Sequence, residues 1–441
     1  MSISNAKNFR RGDWIDKIDR NVLPFVEYPG YDYRYPAIDT FPISDTLASE
    51  IKVASEKLYK IFEKVTAVFQ SCGDKFLDDM DIPSNMIPYL KQTNALGCPA
   101  WLGRFDFVFD KRNNIKMVEI NADTPCAVIE AFYGNGIAVD DKHNPNYGEY
   151  ERLKSFLLEV FNKIYVPEFN LGNGRISTLH PFVFSCFDDY IEDKGTTMFL
   201  MNAMKEAVGA LYPDNMIVFE SFYNLLIDEN DNSIVLPDGR KPAAIYRLHP
   251  LELLIDEVAQ DGTRIGEMLL KGYKNGKFTM FNPPESIIMQ NKAFQAFVWM
   301  LATNDSETLT KEEKEDILRY MLPSYFERDF DYSAQGKFIC KPIWGREGNG
   351  IYVINDGRKI LEKHIDNPED IVQRDSSKML IQEFVDQPEY SMRTDEGMIS
   401  GYITLSCFML KDTSSALYAR FSPAKIAGTE AYWAALRKGS F

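Results

Sequence analysis

The chain has 441 residues, 45% of them hydrophobic and 26% charged, enough to bury a large core in one multi-lobed unit or two to three domains. Its formal net charge of −16 argues against nucleic acid or an anionic membrane surface as the main partner, since both need a basic footprint, and leaves a cationic or amine ligand open. Six scattered cysteines without CxxC spacing and four distant histidines predict free thiols in a reducing compartment rather than a disulfide framework or a zinc site. The polar stretch from Met1 to Trp14 lacks a signal-peptide core, and there is no apolar run of about 18 residues, so the expected location is cytoplasmic with no membrane span.

Residues 1–40 are rich in Tyr, Pro and Asp and read as irregular. Ser44 is a good N-cap for a long helix in which Leu47, Ile51, Ala54, Leu58, Ile61, Phe62, Val65 and Phe69 recur at three and four. Arg104 to Asp110 and Met117 to Thr124 then read as strands. In the first, Phe105, Phe107 and Phe109 alternate onto one face and Arg104 and Asp106 onto the other; in the second, Val118 and Ile120 share one face and Glu119 and Asn121 the other. The polar Lys111-Arg112-Asn113-Asn114 between them suits a hairpin loop. If Asp110 pairs with Ile115, counting sets Asp106 opposite Glu119 and Arg104 opposite Asn121. Two carboxylates facing each other across a sheet repel. A divalent cation between them removes the problem, and Asp, Glu and an Asn carbonyl are the hard oxygen donors that Mg²⁺ prefers. An edge hairpin with a solvated polar face fits the same alternation equally well.

Asn121 to Gly136 reads as a loop-to-helix transition, with Pro125 ahead of the apolar Cys126-Ala-Val-Ile-Glu-Ala, and Tyr150 to Phe161 as a helix. From about residue 180 the texture changes. Pro181 to Phe187, Met216 to Ser221 and Ala243 to Leu248 read as strands and Thr196 to Tyr212 as a helix, an alternation that predicts a small parallel-sheet lobe. The acidic run Asp188-Asp189-Tyr190-Ile191-Glu192-Asp193 falls where a helix N-terminus favours carboxylates for capping and dipole reasons. Asn291 to Ala302 and the charged Thr308 to Asp316 read as helices. Phe338 to Ile343, Ile351 to Ile354 and Met379 to Val385 read as strands. The first two of these strands flank Lys341-Pro342-Ile343-Trp344-Gly345-Arg346-Glu347-Gly348-Asn349-Gly350, a lysine at a strand end followed by three glycines in six residues. Glycines let a backbone approach a phosphate and aim N–H groups at it, and Lys341 and Arg346 would add charge-assisted contacts. Turns of this kind more often carry no ligand, and the Gly-Lys-Ser/Thr order of a P-loop is absent.

Together these segments resemble the glutathionylspermidine synthase family of ATP-grasp ligases. Arg104-Phe105-Asp106 with Glu119-Ile120-Asn121-Ala122-Asp123-Thr124 is similar to the family's Arg-x-Asp and Glu-x-Asn-x-Asp-Ser/Thr motif. The glycine segment is similar to its Lys-Pro-x-x-Gly-Arg-x-Gly lid, Asn291-Lys292-Ala293 with Phe297-Val298-Trp299 to its Asn-Lys-Ala helix, and Leu380-Ile381-Gln382-Glu383-Phe384 to the strand leading to an adenine-binding hinge. The resemblance implies a mixed α/β fold of permuted ATP-grasp architecture, the metal hairpin preceding a glycine-rich lid, with a small βαβ-type lobe. The implied division is a catalytic core at 1–180, the small lobe at 181–290, the lid at 291–390 and a return to the core at 391–441. It implies ATP and Mg²⁺ as cofactors, with Asp106, Glu119 and Asn121 on the metal. Arg104 and Arg346 would be catalytic, and Asp123, Thr124, Glu192 and Arg420 would lie on the substrates. Lys292, Lys341, Gly345, Gly348, Gly350, Gln382 and Glu383 would lie on the nucleotide. Thr404 stands sixteen residues before Arg420, where polyamine-linked members carry Gln, so only Arg420 is carried over. The implied reaction joins a small-molecule or peptide carboxylate to an amine through an acyl phosphate. With no room ahead of residue 40 for an appended amidase domain, only the synthetic direction is expected. A nucleotide-binding protein with a regulatory role and a small-molecule phosphotransferase are the alternatives. The sequence names neither acid, amine nor oligomeric state.

Overall fold

The computed structural model describes residues 14–28, 32–91, 97–169, 180–228, 233–258, 262–304, 306–362 and 377–440. Ser44 opens helix α1 (Asp45–Ser71), its hydroxyl accepting the Leu47 amide at 3.2 Å, and every apolar position of the predicted face is buried. Strands β1 (Leu102–Phe109) and β2 (Ile115–Asn121) follow, then helix α2 (Glu149–Phe169). The next unit is β3 (Phe182–Ser185), α3 (Ile191–Val208), β4 (Ile217–Phe219), β5 (Ala244–Arg247) and β6 (Thr279–Phe281). Helix α4 (Lys292–Thr303) leads to β7 (Ser324–Phe326), β8 (Lys337–Pro342), β9 (Tyr352–Asn355), β10 (Arg358–Glu362) and β11 (Met379–Glu383). The chain closes with β12 (Tyr390–Thr394), β13 (Gly397–Leu410), β14 (Thr413–Ser422) and β15 (Tyr432–Trp433).

The fold is mixed α/β and is built on three larger sheets. The central one runs β15-β14-β13-β1-β2, with β12 added on β13. A parallel sheet runs β4-β3-β5-β6, the small lobe that the alternation predicts. An antiparallel sheet runs β7-β11-β8-β9-β10 and carries the glycine segment between β8 and β9. Helix α1 packs on the phenylalanine face of β1, where Phe62 meets Phe105 edge-on at 5.8 Å and Phe294 of α4 at 5.3 Å.

Strand β1 is not an edge. It lies between β13 and β2, and all eight of its residues are buried, which excludes a solvated face for β1; β2 ends the sheet, with Lys116, Glu119 and Asn121 partly exposed. The hairpin closes at Phe109–Ile115 rather than Asp110–Ile115. One extra residue in β2, Val118, then restores the pairs Arg104–Asn121 and Asp106–Glu119. This β-bulge also inverts the inner half of β2: Ile115 and Met117 enter the core beside Ile120, while Val118, expected to share that face, is only partly buried. Helix α3 starts at Ile191 rather than Thr196, because the acidic run supplies its first turn. Strands β13 and β14, of 14 and 10 residues, have no counterpart in the sequence reading. Among the described residues no helix is long and apolar enough to cross a membrane, and all six cysteines are free.

Candidate functional site

The central sheet sets one polar row across four strands. Tyr418 of β14 pairs with Ser406 of β13, Ser406 with Asp106 of β1, and Asp106 with Glu119 of β2. Arg104 lies two residues from Asp106 on the same face. The two are 3% and 2% exposed and form a bidentate pair, Nε to Oδ1 at 2.7 Å and Nη2 to Oδ2 at 2.8 Å. Nη1 of Arg104 donates to the Cys126 carbonyl at 2.7 Å, and the Asn121 amide reaches Oδ2 of Asp106 at 3.3 Å. Burial pushes the Asp106 carboxyl up, but the charge and hydrogen bonds of Arg104, with Arg420 beyond, hold it below the usual carboxylate range.

Two lysines converge on Glu119 from the opposite side. Asn291 caps α4 through its side chain, accepting from the Ala293 and Phe294 amides at 2.7 and 3.2 Å, and this sets Lys292 at the first helical position. Its Nζ donates to the Gly345 carbonyl at 2.7 Å. Lys341, at the end of β8, donates to the Val118 carbonyl at 3.2 Å and to Oε1 of Gln382 at 2.9 Å. The bulge residue of β2 thus supplies an acceptor to the lysine. Burial pulls both lysines below their ordinary range, Lys341 down to about 8 with Lys292 adding repulsion, while Glu119 offsets part of the effect for each. Gln382 is fully buried; besides accepting from Lys341 it donates to Ser324 Oγ at 3.1 Å, a position from which it can orient Lys341. Glu383 is exposed at the end of β11.

The glycine segment folds on itself. The amides of Gly345, Asn349 and Ile351 donate to the carbonyls of Pro342, Arg346 and Gly348 at 3.0, 2.8 and 3.3 Å. Glu347, Gly348 and Gly350 have φ of 52°, 75° and 70°, a left-handed path that glycine takes without a Cβ penalty. Arg346 is gripped by Glu252 through Nε at 2.9 Å and through Nη2.

The residues expected on the substrates divide. The Asp123 carboxylate is fully committed inside the protein: it pairs with Arg247, accepts from Ser286 Oγ at 2.8 Å and from the Leu251 amide at 3.0 Å, and neither it nor Arg247 is more than 1% exposed. It faces Arg247 rather than the polar row, so its geometry is that of an anchor. Through Leu251 it fixes the short helix that carries Glu252, and its own amide donates to Gln290 at 3.0 Å, just ahead of Lys292. Thr124 is buried beside it. Arg420 pairs across the sheet with Thr404, on the face of Asp106, and among the described residues no hydrogen bond or ion pair engages its guanidinium. Glu192 accepts the Tyr28 hydroxyl, and burial raises its carboxyl; Asp193 is pushed up to about 7 by burial and by Glu192.

Several site residues have no counterpart in the sequence reading. Glu252, Gln290 and Arg247 hold the predicted set in place. Asn282 binds the amides of Trp101 and Leu102 at 2.7 and 3.0 Å and the carbonyls of Leu102, Ala122 and Asp123 at 2.7, 3.0 and 3.0 Å, tying β6 to the hairpin. Glu130, the one charge inside the apolar Cys126–Ala131 run, is fully buried near Arg104 and Glu192. A lone acid in an apolar run is the signal that could have found it.

The donor chemistry suits a hard cation: Asp106, Glu119 and Asn121 present oxygens from facing positions of one hairpin. Among the described residues no group of three His, Cys, Asp or Glu could hold a metal, so any such site rests on two carboxylates and an amide carbonyl.

The chain matches the family described as "Glutathionylspermidine synthase preATP-grasp" over residues 7–436. A Haemophilus influenzae protein named "Putative acid--amine ligase" is 26% identical over 283 residues, which are 60% of this chain and 58% of that protein, so the match spans little more than half the relative's length. The solved apo structure of a glutathione synthetase-like effector, GSS30, from Globodera pallida aligns with a TM-score of 0.58 at 11% identity, covering 97% of this chain and 95% of that one. At that identity the likeness is one of fold.

Proposed function

The chain belongs to the glutathionylspermidine synthase preATP-grasp family, and from that premise we propose that it is an ATP- and Mg²⁺-dependent ligase that joins a carboxylate to an amine through an acyl phosphate. The observation that carries the reading is the pair of lysines, Lys292 and Lys341, held beside Glu119 with Arg346 close by and both pulled below their ordinary range by burial. Cations desolvated together are costly unless an anion joins them, and a polyphosphate supplies that anion. A second support is Arg420, half-buried on the face of Asp106 with no hydrogen bond or ion pair among the described residues, which suits the carboxylate of the acid.

The chemical obstacle is repulsion between a carboxylate and a polyphosphate. Arg104 and Arg420 would hold the acid, and Lys292, Lys341 and Arg346 the phosphates, so that the acid's oxygen meets the terminal phosphorus in a site whose charges are already oriented. Mg²⁺ on Asp106, Glu119 and Asn121 would supply further neutralisation of the phosphate oxygens. For that, Arg104 must release one oxygen of Asp106, which frees its guanidinium for the incoming acid. Glu192 and Asp193, on the first turn of α3, would receive the amine.

The test is calorimetric titration of the full chain with ATP, with and without Mg²⁺, beside Asp106→Ala. Magnesium-dependent binding that weakens in the variant is the expected result. No binding under any condition would overturn the reading.

A further inference from the structure

Glu130 opens the π-helical turn Glu130–Gly134, and π-turns recur at functional sites. The turn is pinned from below: a Cβ at Gly134 would come within 2.4 Å of the Trp433 ring. Glu130 is 0% exposed, and neither carboxylate oxygen has a hydrogen-bond partner within bonding geometry among the described residues. Its own backbone amide and the Tyr35 hydroxyl lie close enough to favour the charged form, but the bonded contact of that hydroxyl is the Tyr418 hydroxyl at 2.9 Å. A carboxyl sealed from water nearly always has a partner, and an ionised one without any is costly. Such a group is completed by a proton or by a cationic ligand.

The groups around Glu130 say which ligand. Tyr28 and Tyr35 approach from the N-terminal segment, Glu192 from α3, Arg104 from β1 and Tyr418 from β14. Glu130 therefore feels the charges both of Glu192, on the acidic turn of α3, and of Arg104, at the polar row. Glu192 is held by the Tyr28 hydroxyl and Asp106 by Arg104; Glu130 differs from both, and from the partly exposed Asp193, in being fully buried with both oxygens unbonded among the described residues.

We infer that Glu130 is the proton acceptor for the attacking amine. This rests on the ligase reading and goes beyond it by assigning the proton. The amine arrives as an ammonium, whose charge Glu192 and Asp193 accommodate. Glu130 takes one N–H proton and becomes a carboxylic acid, leaving a neutral amine. The nitrogen lone pair forms the C–N bond at the acyl carbon, and the C–O bond to the phosphate breaks. The second nitrogen proton leaves with the phosphate as hydrogenphosphate, and Glu130 gives up its own when the products leave and solvent reaches the site; nothing is oxidised or reduced. Burial, then the charge of Glu192, push the Glu130 carboxyl up to about 7, which matches a base working near neutral pH.

The test uses the full chain with ATP, Mg²⁺ and a panel of amino acids and short peptides as the acid. ADP release is followed with two nucleophiles: 1-aminopropane, which is a cation at neutral pH, and hydroxylamine, which is not. Glu130→Gln should lose on the order of 10²-fold against 1-aminopropane and far less against hydroxylamine. The wild-type rate with 1-aminopropane should rise to a plateau as pH passes about 7, and the variant, left to the free-amine fraction, should keep rising above it without that plateau. Equal loss against both nucleophiles, or loss against neither, overturns the inference. So does a nucleophile-selective loss in Asp193→Asn in place of Glu130→Gln. Infrared titration of the protein alone gives a readout that needs no turnover. A protonated-carboxyl band that fades as pH rises through about 7, and is missing in Glu130→Gln, is expected; no such band in the wild type counts against the assignment. Failure of the wild type to release ADP with every pair would remove the ligase reading and this role with it, whereas a failure confined to Glu130 leaves wild-type ADP release intact.

Discussion

Nucleotide binding beside Lys341 should draw protons out of solvent. Lys341 is 6% exposed and, among the described residues, bonds to the Val118 carbonyl and to Gln382. Burial and the neighbouring Lys292 pull its ammonium from 10.5 down to about 8. A polyphosphate against Nζ restores the ordinary lysine range. At pH 8 the empty site then holds about half a proton on Lys341 and the filled site about one, so uptake is about 0.5 proton per nucleotide, rising to about 0.9 at pH 9 and falling to about 0.1 at pH 7. Calorimetry of MgATP binding in paired buffers of equal pH and different ionisation enthalpy reads this number directly. The same shift fixes a stability slope. The folded pKa lies below the unfolded one, so the contribution is full above pH 10.5 and lost as pH falls through about 8, a difference of about 3 kcal/mol. Lys341→Met should abolish both the proton uptake and the slope. Uptake that is flat between pH 7 and 9, or unchanged in Lys341→Met, would refute the reasoning.

The Glu130 carboxyl gives a slope of opposite sign. Its folded pKa, about 7, lies above the ordinary 4.5, so the stability it contributes is full below pH 4.5 and is lost as pH rises through about 7. Glu130→Gln should therefore gain on the wild type by about 3 kcal/mol between pH 4.5 and 8 in denaturant titrations; a difference independent of pH would contradict it. Asp123→Ala should cost about 3–5 kcal/mol of stability, because it leaves Arg247 buried and unpaired. A loss of turnover in that variant at unchanged stability would instead put Asp123 on the substrate. Arg104→Ala should lower ADP release by about 10²–10³ while the protein stays folded, and near-wild-type turnover would remove Arg104 from the site.

What was legible in the sequence was local. The N-cap at Ser44, the stripe of α1 and the alternation in β1 are set by neighbours three, four or two residues away, and they appear as read. The facing of Asp106 and Glu119 also appears, but by compensation: a hairpin register one residue off the assumed one and a bulge at Val118 cancel. Bulges leave no composition signal, so the inversion of Val118 and Met117 could not be read. Strands β13 and β14 carry the same alternation, Ile403, Leu405 and Cys407 against Thr404 and Ser406, and escaped notice all the same. The partner of β13, β1, lies about three hundred residues away.

The same division holds inside the site. The lysines and the hairpin were visible as motifs, whereas the direction in which each side chain turns was not. Asp123 sits in the predicted motif, yet its carboxylate faces Arg247, 124 residues on. Glu192 was weighed against a capping role, but its carboxylate goes to Tyr28, 164 residues earlier. Distant partners decide both cases, and no spacing in one chain records them.

The most direct test of the proposed acyl-phosphate ligase follows oxygen. An acid that supports ADP release is supplied with ¹⁸O in its carboxylate, together with ATP, Mg²⁺ and an amine. One labelled oxygen should appear in the released phosphate and the other stay in the amide. Phosphate free of label, a phosphorylated small molecule as the end product, or ATP consumption indifferent to the amine would contradict it.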